Sequence, residues 1–133
     1  MDGNVVVTGG LSAFDTSDLY NSPRRTFSEV AGVSEPRQRH IAVLLSNPAW
    51  GSLVGKVLII GGASTGNSAF GGIARALDSV EMCDPVTRQI TSFGTMTATR
   101  QNHTATMLQD GRILIAGGVD SPKFSGTAEL VQP

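Results

Sequence analysis

Arginine and histidine side chains recur at matching places in this 133-residue chain. Arg37 and His40 lie three residues apart, and Arg100 and His103 repeat that spacing 63 residues later. A histidine that acts as a catalytic base needs a nucleophile or a metal partner within reach. Recurrence at two equivalent positions instead favours a structural role, in which each imidazole forms hydrogen bonds within its own sheet.

Acidic residues form a second recurring set, and each is followed by two apolar or aromatic residues. The set consists of Asp18, Glu81 and Glu129. We expect these carboxylates to pair with the repeated arginines, Arg37 and Arg100, and so to connect strands or loops of one sheet. Where such pairs are exposed, each stabilises by only ~0–1 kcal/mol.

The sequence gives little support for a nucleotide-binding site, a disulfide or a metal site. The glycine-rich segment 61–68 suggests a phosphate loop, but neither G-x-x-x-x-G-K-[ST] nor G-x-G-x-x-G stands in the required place. Both motifs also need a helix after the strand, whereas the end of segment 73–80 aligns with a strand elsewhere in the chain. Cys83 is the only cysteine, which excludes an intrachain disulfide and a cysteine-based zinc site. We predict no cofactor and no metal.

Composition indicates a folded domain without a nucleic-acid or membrane partner. Apolar residues make up 40% of the chain and charged residues 16%, with a formal net charge of −1. The basic residues are scattered, so no electrostatic footprint for nucleic acid is present. No apolar run approaches the ~20 residues of a membrane span. The N-terminus has no signal-peptide pattern, and this leaves the localisation open.

Paired glycines mark an internal repeat. Three segments read glycine, a polar residue, four mostly aliphatic residues and then Gly-Gly, and their first glycines are Gly3, Gly55 and Gly111. A second, independent match aligns residues 17–45 with residues 80–108 without a gap, again at an offset of 63. Fixed strands joined by connections of variable length are typical of repeat architectures. The doublets are Gly9-Gly10, Gly61-Gly62 and Gly117-Gly118.

Each full repeat predicts four short strands. The first contains His-x-Ala-x-x-Leu, the second is the apolar run before Gly-Gly, the third carries the acidic residue, and the fourth centres on Thr26-Phe27 or Gln89-Ile90. Asp110-Gly111 is a strong hairpin signal between the first and second strands. The apolar runs do not alternate with polar residues, so these second strands are expected to be buried on both faces.

This pattern resembles the Kelch motif, in the style of galactose-oxidase-like proteins. The resemblance is carried by the segment from Gly55 through the doublet, Glu81-Met82-Cys83-Asp84-Pro85 and Arg100-Gln101-Asn102-His103. Cys83 and Val131 depart from it, because they stand where the motif usually has tyrosine, as Tyr20 does. The resemblance implies an all-β fold, a partial β-propeller of about two and a half four-stranded antiparallel Kelch blades.

The resemblance also implies how residues 1–133 are divided. Residues 3–30 would supply strands B, C and D of a partial blade, residues 37–93 a full blade, and residues 100–133 strands A, B and C of another. A closed propeller needs ~4–8 blades, so we expect a piece of a longer protein whose remaining blades are its partners. Alone, the chain is expected to self-associate through open edges and an apolar blade face.

The leading functional hypothesis is a non-catalytic interaction scaffold that binds a protein or a carbohydrate through loops on one propeller face. The enlarged connection after Gly62 is the candidate contact region, and its candidate binding residues are Ser64, Thr65, Asn67, Phe70 and Arg75. The connection from Ser46 to Val54, with the only tryptophan, Trp50, is expected on the opposite face, where it covers a blade edge.

The alternative is an enzymatic parent. The chain would then be part of the propeller of a galactose-oxidase-like copper-radical oxidase, or of a related carbohydrate-active enzyme, with its reactive residues outside this stretch. No residue here matches the copper ligands of that family. By resemblance alone, the parent is expected to be extracellular or at the cell surface.

Overall fold

The computed structural model describes residues 3–10, 16–64, 75–120, 123–124 and 126–133. Within these residues the fold is all-β and antiparallel, as predicted, with one short 3₁₀ segment at Pro48–Leu53. No helix in this part of the chain is long and apolar enough to span a bilayer. The strands are β1 (Val5–Thr8), β2 (Ser17–Asn21), β3 (Thr26–Val30), β4 (Arg37–Gln38), β5 (Ile41–Leu44), β6 (Val57–Ile60), β7 (Ala63–Ser64), β8 (Arg75–Asp84), β9 (Gln89–Arg100), β10 (Thr104–Met107), β11 (Ile113–Ala116), β12 (Val119–Asp120), β13 (Lys123–Phe124) and β14 (Ala128–Val131).

Three main sheets follow one another along the described part of the chain. The first sheet has the order β1-β2-β3, and the third has the order β10-β11-β14. The middle sheet places β5, β6, β8 and β9 side by side, and β4 and β7 pair along the first part of β8. Neighbours in sequence are therefore neighbours in space, and the strands of all three sheets pair antiparallel.

Equivalent rows cross the three sheets in the same register. Val5 lies opposite Tyr20 in the first sheet, Val57 opposite Cys83 in the middle sheet, and Ile113 opposite Val131 in the third. The repeat found in the sequence is thus a repeat of strand register. Residues 75–80, whose end was predicted to be a strand, lie in β8.

A glycine doublet directly follows each of β1, β6 and β11. β7 begins directly after Gly62 and β12 directly after Gly118, so a strand and not a helix follows these two doublets. Gly61 and Gly62 have φ angles of 55° and 103°. This region favours glycine, because in any other residue the Cβ would crowd the neighbouring backbone atoms.

The middle sheet is covered on both faces. Ile59 points into one apolar cluster with residues of the first sheet, whereas Leu58 and Ile60 point into another with residues of the third sheet. All three side chains are 0% exposed, which explains why β6 is apolar at successive positions. The first cluster contains Leu19, Val30, Val33, Ile59 and Cys83; the second contains Val43, Leu45, Trp50, Leu58, Ile60, Val80, Met96, Ile113 and Ile115.

The tryptophan-bearing connection does more than cover an edge. Trp50 is only 4% exposed and packs in the cluster between the middle and third sheets. Its indole N–H donates to the carbonyl oxygen of Gly111 over 2.8 Å, and the Asn47 amide donates to the carbonyl oxygen of Gln109 over 3.0 Å. The 3₁₀ segment therefore joins the first hairpin of the middle sheet to that of the third.

Candidate functional site

The repeated arginines bind the glycine doublets and the acidic residues. Arg37 is fully buried, donates to the carbonyl oxygen of Gly61 over 3.2 Å and forms an ion pair with Glu81. Arg100, also fully buried, donates to the carbonyl oxygen of Gly117 over 2.7 Å and pairs with Glu129 at 3.0 Å. Both networks lie at a glycine turn, and the second joins β9 to β14 of the third sheet, which is a structural use of these charges.

Backbone amides complete the same network. Ser34 donates its amide N–H to Glu81 over 2.8 Å, and Thr97, 63 residues later, donates its amide N–H to Glu129 over 2.7 Å. Burial lowers the pKa of Arg37, while the carboxylates of Glu81 and Glu35 oppose that shift. Arginine stays protonated in proteins, so Arg37 and Glu81 form a buried charge pair.

Asp18 belongs to the same recurring set but is exposed. It lies opposite Val7 in β1 and Glu29 in β3. Neither Arg37 nor Arg100 forms an ion pair with it, because Arg37 pairs with Glu81 and Arg100 pairs with Glu129.

The repeated histidines pack against glycines. A Cβ added to Gly9 would lie 2.5 Å from the Cε1 of His40, and one added to Gly61 would lie 3.0 Å from the Cε1 of His103. Hydrogen bonds were expected for these imidazoles, but His40 Nδ1 and both ring nitrogens of His103 have none to the residues that the structure describes. The expectation of intrasheet hydrogen bonds is therefore corrected for these three atoms, and shape now explains the recurrence of the histidines.

Burial also sets the protonation of these side chains. It lowers the pKa of His40 and of His103, and the nearby guanidinium groups of Arg37 and Arg100 lower them further. Both imidazoles are consequently neutral at pH 7. Burial raises the pKa of the Cys83 thiol, which makes this cysteine a poor nucleophile.

The predicted contact loop is described only at its ends. Ser64 lies in β7 with 2% exposure, so its side chain is unavailable to a surface partner. Arg75 is exposed, and its guanidinium donates to both carboxylate oxygens of Glu35, at 2.8 and 2.6 Å. Thr65, Asn67 and Phe70 lie outside the described residues.

A shallow groove is lined by residues of β8 and β9 of the middle sheet and of the β12–β13 hairpin. Val119 of β12 exchanges two backbone hydrogen bonds with Gln101, at 3.1 and 2.9 Å, which fixes the hairpin beside β9. The lining residues are Asp78, Thr97, Ala98, Thr99, Asp120, Lys123 and Phe124.

The groove combines an exposed ring with charged and hydroxyl groups. Phe124 is 88% exposed, although β13 lies within the folded chain. The Thr99 hydroxyl donates to Asp120 over 2.6 Å, which orients that carboxylate. The side chains of Asp78 and Lys123 form no hydrogen bond or ion pair with any described residue. An apolar surface flanked by a few polar groups is the usual composition of a small-ligand site.

Sequence reasoning missed this groove. It selected the connection after Gly62 because that one is enlarged, whereas Lys123 and Phe124 belong to the equivalent connection after Gly118. An available signal was the Ser-Pro pair at 121–122, since serine and proline favour a turn between two short strands. Among the described residues, no group of three or more histidine, cysteine or acidic side chains is placed to hold a metal ion.

Comparison with known proteins identifies a similar fold and indicates no function. No protein-family model matches the chain, and no curated protein does. A solved structure titled "Structure of YjhT" superposes with a TM-score of 0.67 at 16% sequence identity, over 88% of this chain. The match covers 32% of the YjhT chain, so this chain spans about a third of that protein's length. At this identity the similarity concerns the fold alone.

Proposed function

We propose that the chain is a section of a Kelch-type β-propeller and that it serves as a non-catalytic binding module. Three features support this proposal: successive antiparallel sheets of equivalent register, a middle sheet that is covered on both faces and places four strands side by side, and the carbonyl oxygens of Gly61 and Gly117, which accept hydrogen bonds from Arg37 and Arg100. Radially repeated four-stranded sheets are the architecture of propellers.

The ligand that the groove favours is a carbohydrate. The exposed ring of Phe124 carries this proposal, because it offers a flat apolar surface beside the carboxylates of Asp78 and Asp120. A sugar ring has an apolar C–H face that packs on an aromatic ring. Its hydroxyl groups donate to carboxylates in charge-assisted hydrogen bonds, which are stronger than neutral ones.

A panel of immobilised mono- and oligosaccharides tests this function, followed by titration of the best binder. Replacing Phe124 by alanine is expected to weaken binding by about thirtyfold or more, since an aromatic anchor that becomes buried in a complex contributes ~2 kcal/mol or more. Asp78→Asn is expected to weaken binding through loss of the charge while the shape is kept. Val86→Ala is the matched control, because Val86 is also 88% exposed but lies in the β8–β9 turn, away from the groove.

A second panel, of peptides, separates a carbohydrate from a polypeptide partner. Binding of peptides but not sugars, with the same sensitivity to Phe124→Ala, would replace the carbohydrate by a protein and keep the groove. Binding of either class that survives Phe124→Ala and Asp78→Asn would overturn the assignment of this site.

A further inference from the structure

The β12–β13 hairpin of the groove repeats a strand pairing found earlier in the chain. β7 and β12 each begin directly after a glycine doublet. Their second residues, Ser64 and Asp120, lie opposite Arg75 and Lys123, respectively. By register, Lys123 is therefore the equivalent of Arg75, and both residues are basic and exposed.

The carboxylate that pairs with Arg75 has no counterpart in the second copy of this arrangement. The guanidinium of Arg75 donates to both carboxylate oxygens of Glu35, at 2.8 and 2.6 Å. At the offset of 63 residues that relates the two copies, Glu35 corresponds to Ala98. The preceding residues support this correspondence, because Ser34 and Thr97 each donate a backbone N–H to one of the repeated glutamates.

Lys123 consequently lacks the acidic partner that its equivalent has. Its side chain forms no hydrogen bond or ion pair within the described part of the chain. Asp120, its register partner, accepts a hydrogen bond from the Thr99 hydroxyl over 2.6 Å instead. Ala98 and Lys123 both line the groove, so a ligand bound there is placed to supply the missing carboxylate.

We propose that the groove selects a sugar that carries a carboxylate, a hexuronic acid, and that Lys123 recognises this group. The proposal rests on the carbohydrate function proposed above and adds the charge of the ligand. The pair of Glu35 with Arg75 is its template, since the carboxylate of the ligand takes the place of the side chain that Ala98 lacks. A hydrogen bond between an ammonium and a carboxylate is charge-assisted and therefore stronger than a neutral one.

The remaining groups of the groove keep the roles already given to them. The exposed ring of Phe124 meets the apolar face of the sugar, and the carboxylates of Asp78 and Asp120 accept from its hydroxyl groups. An amino sugar would instead bring a second cation beside Lys123. The charge on the ligand thus separates the two kinds of sugar.

Binding titrations with matched ligands test the charge. They compare a hexuronic acid, the methyl ester of the same acid, the corresponding hexose and the corresponding hexosamine. The acid is expected to bind about fivefold more tightly than the other three, which is the contribution of one exposed ion pair. Added salt is expected to reduce this preference, because it screens exposed charges.

Substitutions at two positions connect the preference to the proposed contact. Lys123→Gln removes the ammonium and is expected to bind acid, ester and hexose equally. Ala98→Glu restores a carboxylate beside Lys123 and is expected to lose the preference, whereas Ala98→Gln adds the same bulk without charge and is expected to keep it. The matched control is Arg112→Gln, which removes an exposed cation outside the groove and is expected to bind like the wild type.

Circular dichroism of each variant checks that it is folded, so that each binding result can be interpreted. Equal binding of acid, ester and hexose by the wild type, tighter binding of the hexosamine, or a preference for the acid that survives Lys123→Gln would each overturn the acidic specificity. If hexose binding is still lost on Phe124→Ala, the groove remains a carbohydrate site without that specificity. Binding of no sugar would overturn both proposals.

Discussion

The backbone amide of Gly62 donates a hydrogen bond to the carbonyl oxygen of Arg100 over 2.8 Å. This bond joins the glycine doublet of the middle sheet to the residue that precedes the third sheet. Gly10 and Arg37 form the same bond one repeat earlier, at 3.1 Å. The backbone of Arg37 therefore bonds the doublet after β1 while its side chain bonds Gly61 and Glu81 of the middle sheet, and Arg100 bonds the middle and third sheets in the same way, which makes each arginine a connector between sheets.

Close backbone approach at the doublet predicts a large cost for adding a methyl group. A Cβ on Gly62 would lie 2.6 Å from the carbonyl oxygen of Gln38, and the φ of 103° is strained for alanine. We expect Gly62→Ala to lower the free energy of unfolding by ~1–2 kcal/mol from the backbone and by ~1–3 kcal/mol more from the clash. Urea unfolding measures the sum.

The control for this substitution is Gly55→Ala. Gly55 has a similar φ of 93°, but a Cβ added there would have open space within 4 Å. The difference between the two variants isolates the clash. Equal destabilisation would show that close approach at the doublet contributes nothing.

Breaking the buried ion pair is expected to destabilise the fold much more than breaking an exposed one. Arg37→Gln leaves the carboxylate of Glu81, 4% exposed, without its cation, and breaking such a pair costs ~3–5 kcal/mol. Arg112→Gln removes a cation from the exposed pair with Asp110, and no measurable change is expected. Thermal and urea unfolding of both variants, side by side, check this. A near-neutral Arg37→Gln would contradict the connector role.

Buried neutral histidines predict that stability falls on mild acidification. The pKa of His40 and of His103 lies below the ordinary value of 6.5 in the folded state, so below about pH 6.5 the unfolded chain binds more protons than the folded one. Stability is therefore fully present above that pH and decreases as the pH falls towards the folded-state pKa. Urea midpoints measured between pH 7.5 and 5.5 are expected to decrease.

The double variant His40→Gln, His103→Gln removes the titrating groups. Its urea midpoint is expected to change much less over the same interval, because carboxylates titrate mainly below it. A slope equal to that of the wild type would assign the pH dependence to other groups.

Burial of Cys83 predicts a thiol that reports on unfolding. The side chain is 0% exposed in the cluster between the first and middle sheets, and burial raises its pKa. Because the thiolate is the reactive form, a disulfide reagent is expected to modify Cys83 slowly in the native protein and rapidly in urea. Rapid native modification would place this cluster at an open surface.

The sequence alone predicted the main strands of the repeat, but not the short strands β4, β7, β12 and β13. Glycine doublets, the Asp110-Gly111 turn and apolar runs are local signals, and they predicted β1, β6 and β11. Burial of these strands on both faces holds for β6 but was wrong for β1 and β11, where Val5, Val7 and Leu114 are 51%, 50% and 37% exposed. The recurrence of arginine, histidine and acidic residues also indicated a structural role for these side chains. It did not identify the glycines as their neighbours.

Only the tertiary structure decided which distant residues meet. Trp50 enters the core because its 3₁₀ segment reaches Gly111, 61 residues away, and no local pattern encodes that contact. The groove likewise needs β8, β9 and the β12–β13 hairpin to lie side by side, and connections of variable length set their positions. Periodicity fixes what one strand buries, whereas the packing of whole sheets determines which side chains share a surface.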